Sequence, residues 1–100
     1  MRNERRRTKR VAAALPVRWR RGNATIVGRA ADISVEGLFL ETQESVPPGQ
    51  VMNLSIELPS GKIEFLGVSQ RSAAQGIGLI IFSMDPKDRA RWARHYGEAH

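Results

Sequence analysis

The sequence predicts an all-β protein: a six-stranded antiparallel β-barrel with a short C-terminal α-helix and a flexible basic N-terminal arm. Three observations predict it. Short runs with period-two alternation recur roughly every ten residues, as in barrels and sandwiches. Clusters of Gly, Pro, Asn and Asp separate those runs. The period changes once, near Pro86, to one that suits a helix. In a chain of 100 residues with 41% apolar content, one domain with one modest core is expected. Closing the sheet on itself removes exposed edges with few strands.

Residues 1–10 are crowded with like charges and show no apolar period, so they read as a solvated, mobile arm ahead of a barrel domain over 11–100. The first strand is expected from Leu15, where Leu15, Val17 and Trp19 alternate with Pro16, Arg18 and Arg20. Arg21-Gly22-Asn23 signals a turn, and Ala24–Ala31 reads as the second strand. Asp32–Gly37 carries turn-forming residues, and Leu38–Thr42 is a short third strand. Pro47-Pro48-Gly49 closes the following loop.

The cleanest alternation is at Val51–Leu58. Met52, Leu54, Ile56 and Leu58 face one side; Asn53, Ser55 and Glu57 face the other. Lys62–Arg71 is a fifth strand, with Gly67 marking a bulge or a close approach. Ile77–Phe82 is apolar on both faces, which predicts a strand covered on both sides. Asp85-Pro86 supplies an N-cap and a first-turn proline, and Asp88 favours the positive helix end. The helix is expected over about 86–96, with Ala90, Ala93 and Tyr96 packed, Trp92 beside them, and Gly97 as its stop.

Composition excludes several function classes. Without cysteine there are no disulfides, thiolate nucleophiles or cysteine zinc sites. The two histidines, His95 and His100, both stand at the end of the chain, and no Ser-His-Asp or metal-ligand spacing can be assembled. No enzyme and no cofactor are expected. No run of about eighteen apolar residues exists, and the apolar run 11–15 is too short for a signal peptide. A cytoplasmic protein without membrane insertion is therefore expected.

Charge is unevenly spread. Residues 1–21 hold nine Lys/Arg against Glu4 alone, a local +8 within a chain of net +6. Such a field draws an anionic partner to one end of the molecule: a nucleotide, a nucleic acid or an anionic membrane. Arg5-Arg6-Arg7-Thr8-Lys9-Arg10 contains Arg-Arg-x-x-x-Arg. Guanidinium forks match phosphate oxygens and the O6/N7 edge of guanine, and their flat faces stack on purines. A solubilising or nonspecific tail carries the same composition, so this run leaves both readings open. Asp32-Ile33-Ser34-Val35-Glu36-Gly37 is equally double-sided. It suits an Asx-type turn in which Gly37 supplies a positive φ. It also suits a site in which a carboxylate accepts from guanine N1 and N2 while the turn's hydroxyl and N–H groups hold a phosphate.

Taken together, Arg6/Arg10 in an RxxxR pattern and Asp32/Ser34/Gly37 in a [D/N]xSxxG pattern resemble the PilZ domain family. Leu15-Pro16-Val17, Gly37-Leu38-Phe39-Leu40 and Gly76–Phe82 are similar to the family's first, third and last strands, so the resemblance spans roughly residues 4–96. It implies a six-stranded barrel that binds cyclic di-GMP (c-di-GMP). By the same resemblance Arg6 and Arg10 engage guanine and phosphate, Asp32 a guanine edge, and Ser34 and Gly37 the phosphate–sugar region. Arg5 matches an extra arginine that accompanies a stacked ligand dimer, and Arg7 supplements it. The family often places a tryptophan from the fifth strand under a guanine; here Gln70 or Arg71 stands in that neighbourhood. The implied partners are c-di-GMP and a protein that receives the signal, not DNA. The competing expectations are a basic barrel for nucleic acid and a PilZ-like adaptor that binds no ligand.

Overall fold

In the computed structural model, which describes residues 9–99, six strands and one helix follow in the expected order. They are β1 (Val11–Arg21), β2 (Ala24–Ile33), β3 (Gly37–Glu41), β4 (Val51–Leu58), β5 (Gly61–Ala73), β6 (Gly76–Met84) and α1 (Pro86–Ala99). The strands close into an antiparallel barrel in the order β1-β2-β3-β6-β5-β4. Closure is made by β1 against β4, with Val17, Arg18 and Trp19 opposite Ile56, Ser55 and Leu54.

The interior follows from the pleat, which sends alternate side chains to opposite faces. Val17, Trp19, Ala30, Leu38, Leu40, Met52, Leu54, Ile56, Leu58, Ile63, Phe65, Ile77, Leu79 and Ile81 fill it. β4 contributes one parity of its residues, as its alternation predicts, whereas β2 switches parity from Ala30 to the equally buried Ile33 across a register shift between Ala30 and Asp32. Turns and strand ends sort the molecule into two ends. One end gathers the start of β1, the β2–β3 loop, the β4–β5 turn and the end of β6. Across this end lies α1. Trp92 is fully buried, and Arg91 donates to the Lys62 carbonyl at 3.3 Å. Asp85 caps the helix through its carboxylate, which accepts from the Lys87 N–H at 2.9 Å.

Several expectations are corrected. β1 begins at Val11, four residues early, and its register against β2 shifts between Ala12 and Leu15. A strand of small residues with a bulge has no clean alternation to read. β6 is not covered on both faces: Ile80 and Phe82 are 48% and 63% exposed, while Ile77, Leu79 and Ile81 are buried. Phe82 is therefore outside the core. The packed face of α1 is Asp88, Arg91, Trp92, His95 and Tyr96, spaced as one helical stripe, whereas Ala90 and Ala93 are exposed. α1 also runs through Gly97 to Ala99. Gly67 does both things expected of it. The β5–β6 register shifts there, and a Cβ would stand 3.1 Å from the Leu54 side chain.

Candidate ligand site

The site lies at the helix-capped end, where β1 enters and β2 turns into β3. Val11 pairs with Ile33 and Ala12 with Asp32, so Arg10 arrives directly beside the Asp32 carboxylate. Arg10 Nη1 donates to Asp32 Oδ1 at 2.6 Å, across 22 residues of sequence. Both side chains are half-exposed, so the pair is reachable by solvent. The two motifs that the sequence separates are thus brought into contact. Arg5, Arg6 and Arg7 lie outside the described residues.

The loop Ser34–Glu36 between β2 and β3 is built with its carbonyls turned inward. Trp92 Nε1 donates to the carbonyls of Ser34 and Val35 at 3.1 and 3.2 Å. The Ile81 N–H donates to the Glu36 carbonyl at 2.8 Å, and the Ser34 N–H to the Gly37 carbonyl at 2.8 Å. Among the described residues, the N–H groups of Val35 and Glu36 meet no acceptor. Two adjacent N–H groups without an acceptor leave a pair of donors available on this loop. Ser34 itself is buried, and its hydroxyl donates to the Gly37 carbonyl at 3.4 Å. Its visible work is to fold the loop.

Gly37 does not supply a positive φ; among the described residues only Gly22, Gly49 and Gly61 do. The glycine is required for a different reason. A Cβ at position 37 would stand 2.1 Å from the Leu79 carbonyl oxygen, so any side chain would push β3 off β6.

The outward-facing residues extend the site across the barrel wall. Asp32 pairs with Phe39, and Phe39 with Gly78. A Cβ at Gly78 would be 3.7 Å from the Gln70 Cβ. One lateral row therefore runs from Asp32 through Phe39 and Gly78 to Gln70, about 14 Å at three inter-strand spacings. Gly78 leaves a shallow floor between Phe39 and Gln70. Gln70 and Arg71 both fall in the β5 bulge between Ser69 and Ser72, and Arg71 forms no ion pair among the described residues. Of the two, Gln70 is the one whose Cβ stands beside Gly78. Reading from sequence missed Trp92 and Tyr96. Tyr96 Oη donates to the Lys9 carbonyl at 2.5 Å, immediately before Arg10. The available signal was a pair of aromatics four apart on an otherwise polar helix.

Among the described residues, no group of three His, Asp or Glu stands where it would hold a metal ion. Nor is any helix there long and apolar enough to cross a membrane.

Comparison with known proteins agrees with this fold. The sequence matches the PilZ domain over residues 4–97. The chain belongs to the PilZ domain family. Similar folds include the inhibitor of motility MotI/DgrA of Bacillus subtilis, with TM-score 0.84 and 21% identity, covering 98% of this chain and 52% of that one. The PilZ domain of YcgR from Escherichia coli, solved with c-di-GMP, gives TM-score 0.78 and 16% identity over 96% and 92% of the two chains. The PilZ domain of CeSA from a cellulose-synthesizing bacterium gives TM-score 0.69 and 17% identity over 91% and 98%. This chain spans about half the length of the Bacillus protein. No curated protein matches the chain.

Proposed function

We propose that this PilZ domain is a non-enzymatic receptor for c-di-GMP that passes ligand occupancy to a protein partner in the cytoplasm. The observation that carries the reading is the contact of Arg10 with Asp32, which puts an RxxxR arginine and the [D/N]xSxxG carboxylate at one spot.

Each group has a role matched to its chemistry. Arg10 offers its fork to a phosphate or to guanine O6/N7. Asp32 accepts from the N1–H and N2–H donors of a guanine edge. The Val35 and Glu36 N–H groups face a phosphate oxygen, and Ser34 and Gly37 keep their loop in shape. Arg5, Arg6 and Arg7 bring further cations from the segment ahead of Arg10, and Gln70 closes the far side of the row.

Magnitudes favour ligand entry. A half-exposed ion pair such as Arg10–Asp32 is worth about 0–1 kcal/mol. Charge-assisted hydrogen bonds to a ligand contribute about 1.5–3 kcal/mol each. Four or five of them reach the roughly 8 kcal/mol of micromolar affinity after ordering costs. The ligand therefore replaces the internal pair, and ordering of the arm over the barrel rim alters the surface a partner meets.

Calorimetric titration of c-di-GMP into the purified protein tests the reading. Saturable micromolar binding that Arg10→Ala abolishes is expected. No heat at high micromolar ligand, or equal binding by Arg10→Ala, overturns it.

A further inference from the structure

We infer that α1 is part of the ligand site: Trp92 and Tyr96 are positioning residues that set the peptide planes from which the site's donors project. The inference rests on the c-di-GMP reading above and extends it to a helix that neither binding motif includes.

A trans peptide is planar, and its N–H points opposite to its C=O. Fixing a carbonyl therefore aims the N–H of the next residue. Trp92 Nε1 holds the Ser34 and Val35 carbonyls together, at 3.1 and 3.2 Å. The N–H groups on those same two peptides belong to Val35 and Glu36, which are the pair left without an acceptor among the described residues. One indole thus turns two carbonyls inward and two donors outward. Trp92 is fully buried, so the indole is held by packing and cannot drift.

Tyr96 does the same at the other motif. Its hydroxyl donates to the Lys9 carbonyl at 2.5 Å, which fixes the peptide joining Lys9 to Arg10. That peptide sets the direction in which the chain delivers the Arg10 side chain to Asp32. Trp92 and Tyr96 are four apart on one stripe of α1, so a single helix grips both halves of the site, 58 and 87 residues away in sequence. By linkage, a ligand that uses these donors also tightens the seating of α1.

The test uses Tyr96→Phe, which removes one donor and keeps the ring, and Trp92→Phe, which removes the indole N–H and leaves a smaller ring at a fully buried position. Kd for c-di-GMP, the melting temperature and the amide exchange of Arg10, Val35, Glu36 and α1 are measured on the full chain. Tyr96→Phe is expected to weaken binding about three- to tenfold, the scale of one net hydrogen bond. Trp92→Phe is expected to weaken it by at least as much and to speed exchange at Val35 and Glu36. An Arg10→Lys background separates positioning from stability. Because Tyr96 acts through Arg10, Tyr96→Phe is expected to cost less than about twofold there. Ligand is expected to slow exchange along α1. Variant affinities within about twofold of the parent, or equal losses in both backgrounds, overturn the inference while leaving the receptor reading intact. A parent protein that binds no c-di-GMP overturns both.

Discussion

Arg10 and Asp32 hold each other at 2.6 Å at the mouth of the barrel, one from the residue before β1 and one from the penultimate residue of β2. Neither is buried, so the contact contributes little to folding. Its consequence is placement: a cation and a carboxylate meet at one solvent-reachable point, and the proposed receptor function assigns both to the ligand.

Arg10→Ala is therefore expected to separate binding from stability. Loss of c-di-GMP affinity should be at least about tenfold, since a charge-assisted bond is removed. The melting temperature should move by no more than a few degrees, the equivalent of about 1 kcal/mol in a domain this size. Calorimetry and thermal denaturation on the same sample check both. Raising salt should weaken binding in the parent more than in the variant, because exposed charges are screened.

Gly37→Ala tests why a glycine stands in the second motif. The added Cβ would stand 2.1 Å from the Leu79 carbonyl oxygen, a backbone atom that a rotamer change cannot move. The β3–β6 pairing at Gly37–Ile80 must open, and the cost is expected to exceed about 2 kcal/mol. Gly22→Ala is the comparison. It sits at φ +62° with nothing within 4 Å, so its cost is backbone strain alone, about 1 kcal/mol. Denaturant melts of the two variants give the order directly. Equal costs would show that β3 and β6 yield to the added methyl by a small shift, and that clearance is not what holds the glycine there.

How much was legible follows from which physical signal each element carried. β4 was readable because Met52, Leu54, Ile56 and Leu58 bury one face against polar residues on the other. The early part of β1 was not, because Val11 to Ala14 are small and the bulge breaks the period. Ile80 and Phe82 misled because apolar character signals burial only on average; both lie on the outer face. The helix face was misjudged for the converse reason. Ala90 and Ala93 are apolar but exposed, whereas Asp88, Arg91 and His95 sit on the packed stripe beside Trp92 and Tyr96. The convergence of Arg10 with Asp32 was legible through the family's motif pair. The grip of α1 on Ser34, Val35 and Lys9 was not, because a side-chain bond to a distant carbonyl leaves no periodic trace.

Ser69 carries a prediction about the long loop between β3 and β4. Its side chain is buried, donates to the Pro47 carbonyl at 2.6 Å and accepts from the Gln50 N–H at 2.9 Å. Its backbone makes two further bonds to the same loop, with Gly49 and Gln50. Ser69→Ala keeps the backbone bonds and orphans one donor and one acceptor. A cost of about 1–3 kcal/mol is expected, with faster amide exchange at Gln50. A change below about 0.5 kcal/mol would mean that water replaces the hydroxyl.

The outer face of β6 gives the last expectation. Phe82 is 63% exposed, whereas Phe65 on the neighbouring strand is 4% exposed and packed in the core. Phe65→Ala is expected to cost about 3–5 kcal/mol, a large share of the 5–15 kcal/mol that holds a domain together. Phe82→Ser is expected to cost less than about 0.5 kcal/mol, because little apolar area leaves the interior. Both are read from urea denaturation midpoints at unchanged slope. A large loss for Phe82→Ser would mean that this ring is covered in solution, and its dependence on protein concentration would then show whether a second copy of the chain covers it.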